Sequence, residues 1–423
     1  MKHLGSTLLL LAALPATPVF AQTACQPGTY AAPDSDFVVL VPSPSVAAPG
    51  LRYMFRDGRR GATTEAGVPL TCGTDAVTVG GKRWARIAFR ETPTTFDSVG
   101  TKMTGVLIEP PGASDAKRPL VVMVHGSERT SPIGGLYGYA MAAQGISVFV
   151  YDKRGTGGSE GEYTQNFELL AEDAAQALDQ ARSMAAGRFG RAGFFGGSQG
   201  GWVAPLAATR TKADFVAIGF GLVASPIEED REQMVSEVRA AGLGGDAVAL
   251  VNRLSQATAR LLLSDFREGY DALDAVRREM ADKPWAAKVE GEYSGAIARM
   301  PNDELRRIGR ARVDNLELIW DYDAVAALKK LDASLLWVLA GEDREAPIET
   351  TRAALLGLAK EGKSVDVYLF PQTDHGMWEF TTDADGERHV TRITDGYLKL
   401  LGDWIKRDVR GAYGHAERLT PKS

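Results

Sequence analysis

The sequence predicts an α/β fold: a mostly parallel, doubly wound sheet with an inserted helical cap and a small N-terminal β-rich extension. Three observations carry this. From about residue 83 onward, short apolar runs alternate with stretches of helical periodicity. The alternation breaks once, across 225–325, in a charged, helix-prone stretch without strand runs. And Gly196-Gly197-Ser198-Gln199-Gly200 stands between an apolar run and a helix-compatible stretch. A serine on such a strand-turn-helix junction is lifted off the sheet edge and exposed, in a turn too strained for side chains at its flanks.

Taken in order, residues 1–21 read as a signal peptide. Lys2 supplies the positive start, residues 8–14 the apolar stretch, and Val19-Phe20-Ala21 the cleavage site. The apolar stretch is too short to span a bilayer comfortably. No later stretch reaches that length, so no stable membrane insertion is expected. Export to the periplasm or beyond is expected instead. The chain has two cysteines, Cys25 and Cys72. In an exported chain they are expected to pair, with two free buried thiols as the alternative. Their spacing does not suit a metal. Residues 22–82 are rich in Pro, Gly and Thr, with β-like runs at 37–41 and 76–79. They read as the β-rich extension.

The core comes in two parts, 83–224 and 326–410. Strand candidates fall at 86–89, 105–108, 120–124, 146–151, 215–220, 335–340 and 365–370. The run at 120–124 is apolar throughout, as a strand buried on both faces requires. Residues 136–144 fit a short helix. Phe167, Leu170, Ala174, Leu178 and Ala181 recur at helical spacing, and Tyr397, Leu400, Leu401, Trp404 and Ile405 mark a closing helix. Strands alternating with helices give a parallel sheet covered on both faces. The insertion at 225–325 has the length of a cap that walls a substrate pocket and excludes water. Helices packed away from the site are the alternative. Residues 411–423 read as a polar tail.

A serine hydroxyl needs a base to become a nucleophile, and histidine titrates in the right range. The chain has five histidines. His3 leaves with the signal peptide, and His415 lies in the polar tail. His125 ends a buried strand. His389 sits in a charged, loop-like stretch and is a lesser candidate. His375 follows the strand run at 365–370, where a base belongs. The base needs an acid to fix its tautomer. Asp343, just after the run at 335–340, is the candidate, with Glu342 as neighbour and alternative. Asp374 adjoins His375 and is poorly placed to face it. The order Ser198, Asp343, His375 is the one expected for a nucleophile elbow on this kind of sheet. An oxyanion hole needs backbone N–H donors. Gln199 supplies one and Ser127, after the run at 120–124, the other.

Some classes are excluded. A net charge of −6, one unit more negative once Lys2 is removed, argues against nucleic-acid binding. The segment from Tyr151 to Ser159 imitates a dinucleotide fingerprint, but Glu160 stands where the third glycine is needed. It reads as a glycine-rich turn with Arg154 paired to a carboxylate. No metal or organic cofactor is implied.

These segments together resemble the α/β-hydrolase superfamily, in its exported bacterial esterase and serine-aminopeptidase-like branch. The matching pieces are His125-Gly126-Ser127, the run from Asp152 to Ser159, Gly196 to Trp202, Gly341-Glu342-Asp343 with Pro347, and Asp374-His375-Gly376. Two details depart from the common pattern. Glu128 follows His-Gly-Ser where glycine is frequent, and one residue rather than two separates Gly341 from Asp343. The resemblance implies the same nucleophile, base and acid. The expectation is a serine hydrolase that cleaves small carboxylic esters through an acyl-enzyme. The rivals are a peptidase for short peptides and a thioesterase. A non-catalytic binding protein would not need a triad in this order.

Overall fold

The computed structural model describes residues 25–43, 50–112, 117–313, 317–384 and 386–421. The expected signal peptide at 1–21 lies outside them. The described chain opens with an antiparallel sheet of β1 (Gly28–Ala31), β2 (Phe37–Pro42), β3 (Leu51–Phe55), β4 (Arg60–Ala62), β5 (Leu70–Cys72), β6 (Ala76–Val79) and β7 (Lys82–Arg86). Their spatial order is β4-β3-β2-β1-β7-β6-β5. Strand β2 is apolar on both faces for a reason. Val38 and Leu40 pack with Tyr53, Phe55 and Trp84 inside this sheet's own core, while Phe37, Val39 and Val41 face the main core. A Cys25–Cys72 disulfide ties the chain ahead of β1 to β5, as expected.

The main sheet is built from β8 (Arg90–Ser98), β9 (Thr101–Glu109), β10 (Pro119–Val124), β11 (Ser147–Tyr151), β12 (Arg191–Gly197), β13 (Phe215–Gly219), β14 (Ser334–Ala340) and β15 (Val365–Phe370). A hairpin of β16 (Trp378–Thr382) and β17 (Arg388–Ile393) stands apart, and β18 (Glu417–Leu419) returns to the main sheet. Its order is β18-β15-β14-β13-β12-β10-β11-β9-β8. The strands from β10 to β15 pair in parallel. Strands β8, β9 and β18 run antiparallel at the two ends, so the sheet is mixed.

The helices are α1 (Leu136–Ala142), α2 (Phe167–Met184), α3 (Gly200–Ala208), α4 (Pro226–Ala240), α5 (Gly245–Leu263), α6 (Tyr270–Met280), α7 (Ser294–Arg299), α8 (Asn302–Val313), α9 (Ala324–Lys330), α10 (Glu349–Lys360) and α11 (Tyr397–Ile405). On one face, residues of α2, α3, α9 and α10 pack with Leu120, Val122, Phe194 and Trp337. On the other, α1, α11 and β2 pack with Val121, Phe195, Phe215 and Leu336. Alternate residues of one strand thus feed two cores, which is why the central strands read as unbroken apolar runs. The helices α4 to α7 and the start of α8 pool Met234, Val251, Leu254, Leu273 and Leu305 into a separate core.

Four details differ from the sequence reading. The strand expected at 86–89 is absent: β7 ends at Arg86 and β8 starts at Arg90, because the chain crosses between sheets there. The N-terminal sheet accordingly runs to Arg86, past the expected boundary at 82. The expected polar tail contributes β18, an edge strand on β15. The loop expected around His389 is strand β17. Strands β8, β17 and β18 are polar because they lie at edges or in a solvent-facing hairpin.

Candidate active site

Three parallel strands deliver the site at their C-terminal ends, where ligands of open α/β sheets gather. Ser198 follows β12, Asp343 follows β14 and His375 follows β15. The non-glycine Ser198 holds a left-handed φ of 52°. Such a backbone persists only where its surroundings enforce it. Here they do: a side chain at Gly196 would meet the Gly200 carbonyl, and one at Gly200 would meet the Val124 carbonyl, each 2.7 Å from the added carbon. The elbow is therefore packed backbone against backbone.

His375 joins the other two. Its Nε2 lies 3.1 Å from Ser198 Oγ, and its Nδ1 lies 3.0 Å and 3.2 Å from the two oxygens of Asp343. The Asp343 side chain is 1% exposed and also accepts the Ala346 N–H at 2.7 Å. The Phe220 ring meets the imidazole edge-on, centroids 5.2 Å apart. Burial pulls the His375 pKa down. The hydrogen bond and charge of Asp343, with Glu345 and Asp374 behind them, outweigh burial and leave it above its ordinary value. The alternative acids are engaged elsewhere. Arg388 binds the carboxylates of both Glu342 and Asp374. His389 is exposed and pairs with Asp383 at 3.0 Å. Trp378 stacks under Arg60.

Gln199 is buried at the start of α3. Ser127 lies in the loop after β10, its carbonyl accepting the Tyr163 hydroxyl. Lys153 was legible only as part of a turn, yet it is buried beneath this loop. It donates to the Gly126 carbonyl and to the Gln199 side chain, the latter at 3.3 Å. Burial drives its pKa down to about 8. His125 is held neutral, its pKa pushed to about 3 by burial and by Lys153, with Nε2 on the Tyr151 carbonyl at 3.0 Å. As expected, Arg154 pairs with a carboxylate, that of Asp173, through two bonds of 2.8 Å and 2.6 Å.

A cleft of about 220 Å³ opens at Ser198, walled by Met123, His125, Tyr137, Phe195 and Phe220. Further carboxylates gather near His375, among them Glu229, which the sequence offered with Glu228 and Asp230 either as an amine-binding acid of the cap or as part of a solvated helix end. Glu345 Oε1 is 3.5 Å from His375 Nε2. Glu229 on α4 is pushed well above the usual carboxylate range by burial, then by Glu292, Glu345 and Asp343. Glu292 is raised by burial and by Glu345. A strand-borne elbow, a histidine and a carboxylate in one hydrogen-bonded line define an α/β-hydrolase architecture.

The chain belongs to the serine aminopeptidase S33 family, whose model matches residues 115–379. Among solved structures, an esterase from Pyrococcus furiosus is 13% identical, with 68% of this chain and 84% of that chain covered at a TM-score of 0.41. An acylaminoacyl peptidase from Pyrococcus horikoshii is 15% identical, with 82% and 45% covered at 0.42. A proline iminopeptidase from Mycobacterium smegmatis is 18% identical, with 67% and 91% covered at 0.40. No curated protein matches the sequence. Among the described residues, no helix is long and apolar enough to cross a membrane.

Proposed function

We propose that the chain is a serine hydrolase of carboxylic esters acting through an acyl-enzyme. The observation that supports this most is the continuous line of hydrogen bonds from Ser198 through His375 to Asp343. Ser198 Oγ attacks the acyl carbon as His375 Nε2 takes its proton. Asp343 holds the imidazole in the tautomer that can accept and stabilises the imidazolium that forms. The oxyanion rests on the N–H groups of Gln199 and Ser127. Collapse expels the alcohol, which takes the proton from His375. Water, activated by the same histidine, then releases the acid and frees Ser198. The apolar cleft houses the acyl or alcohol group, and the helices of 225–325 act as a cap over the far side. The Cys25–Cys72 disulfide supports an oxidising, exported location, in keeping with a signal peptide at 1–21.

One observation favours a second reading, cleavage of short aminoacyl amides or peptides. Glu229 and Glu292 are both raised, first by burial and then by neighbouring carboxylates that include Glu345, which itself lies 3.5 Å from His375 Nε2. A substrate ammonium would relieve that repulsion. A thioester would use the same steps without calling on these acids.

The test is turnover of short- and long-acyl nitrophenyl esters beside aminoacyl and peptidyl amides, with Ser198→Ala as control. Ester turnover lost in Ser198→Ala, with silent amides, is expected. Activity that survives in Ser198→Ala would overturn the mechanism. Amide turnover with a KM that rises in Glu229→Gln only for amine-bearing substrates would establish the peptidase instead.

A further inference from the structure

We infer that Lys153 is a positioning residue for the oxyanion hole: its buried ammonium holds the Gly126 carbonyl and thereby aims the Ser127 N–H. The inference rests on the serine-hydrolase reading above. Its geometric basis is the planar peptide. The carbonyl of Gly126 and the N–H of Ser127 belong to the same trans peptide and point in opposite directions. Whatever fixes the carbonyl fixes the N–H. Lys153 donates to that carbonyl and also reaches the Gln199 side chain at 3.3 Å. One ammonium therefore ties together the two residues proposed to supply the hole. A cation on the carbonyl also polarises the peptide, which makes its N–H a better donor in a dry site.

The neighbouring peptide is held as well. Tyr163 donates its hydroxyl to the Ser127 carbonyl, and its ring lies 5.2 Å from the Lys153 ammonium and 4.2 Å from the Arg129 guanidinium. The carbonyls on both sides of the Ser127 Cα are thus held, one by Lys153 and one by Tyr163. Burying an ammonium is unfavourable without a carboxylate in contact. Among the described residues, the acceptors of Lys153 are a carbonyl and an amide oxygen. An apolar side chain of similar length would fill the space without that penalty, but it would leave the Gly126 carbonyl without this donor.

The device titrates. Burial brings Lys153 down to about 8, with Glu128 supporting its charge and Arg129 opposing it. His125 stays neutral beside it, and the Tyr163 ring faces it. Loss of the proton above that pH loosens the grip.

The experiment compares Lys153→Met, Lys153→Arg and Tyr163→Phe with the full chain. It measures kcat, KM, melting temperature and the inhibition constant of a trifluoromethyl ketone, which forms a tetrahedral adduct on serine. In Lys153→Met, kcat should fall and the inhibition constant rise by a similar factor, about 10²-fold for a donor displaced by roughly 1 Å. KM should stay close to the parent value. Lys153→Arg should restore part of kcat and extend activity to higher pH, and Tyr163→Phe should show a smaller loss of the same kind. Wild-type kcat should decline through pH of about 8, a readout that needs no variant to fold. Unchanged kcat and inhibitor affinity in Lys153→Met, or equal losses in KM and melting temperature, would overturn the inference. If wild-type Ser198 takes no phosphonate label and no ester turns over, the serine-hydrolase reading itself has failed and the inference falls with it.

Discussion

At the scale of single residues, neighbours in sequence have separate jobs. Asp343 and Glu342 are adjacent, but one faces the imidazole while the other is held by Arg388 at 2.7 Å. Asp343→Asn keeps the shape and removes the charge that supports the imidazolium. It should lower kcat on the order of 10³–10⁴-fold, whereas Glu342→Gln should leave kcat near the parent value. Initial rates on one nitrophenyl ester separate the two. Glu345 tests the electrostatics more gently. Its charge raises the His375 pKa, and the proposed base must be neutral to act. Glu345→Gln should therefore move the acid limb of kcat/KM to lower pH. The Glu345 side chain is 57% exposed, so the move should stay below about one pH unit and shrink in high salt. The three residues of the Ser198 line were legible in the sequence because each stands just after an apolar run. Lys153 was not legible in that role, because its part depends on which way a distant peptide turns. Glu292 gave no signal at all: the packing of α4 to α7 brings it within electrostatic reach of His375.

At the scale of elements, the central strands were legible and the edges were not. Strands β10 to β14 are buried on both faces, so their composition alone marks them. Strand β8 reads Arg-Glu-Thr-Pro-Thr-Thr-Phe-Asp-Ser and pairs on one side with β9. Pro93 and the polar residues suit an edge, and an edge has no apolar run to find. The turn from Asp152 to Ser159 was legible by its glycines, and its anchor is now visible. Arg154 is 7% exposed and Asp173 1% exposed at the side chain, and their fork-to-fork bonding fastens the turn to α2. Arg154→Met leaves Asp173 buried and unpaired, a loss of about 3–5 kcal/mol. A lower urea midpoint at pH 7 should report it. Arg154→Lys should recover only part, because an ammonium cannot reproduce the two-pronged contact.

At the scale of the whole molecule, the N-terminal sheet has a reason to be present although its sequence names no chemistry. It packs on the face of the main sheet that carries the histidine loop. The Ile393 N–H donates to the Gly58 carbonyl at 3.2 Å, and Arg60 lies 4.5 Å over the Trp378 ring. Met54 shares a core with Met377 and Ile393. Met377 is two residues beyond His375, so the sheet backs the loop that carries His375. The disulfide spans a sequence separation of 47, and closing a loop of that size stabilises by about 4 kcal/mol in the chain-entropy model. A Cys25→Ser/Cys72→Ser chain should therefore melt several degrees lower. Because the loosened element touches the β16–β17 hairpin, the loss should reach the site before global unfolding. Near but below the new melting point, kcat should fall while the circular-dichroism signal of the main sheet persists. Dithiothreitol should produce the same behaviour in the parent chain and change nothing in the double variant. Loss of kcat only in step with global unfolding would mean that the sheet is a passive attachment. An early loss would make the disulfide part of what keeps His375 in line with Ser198.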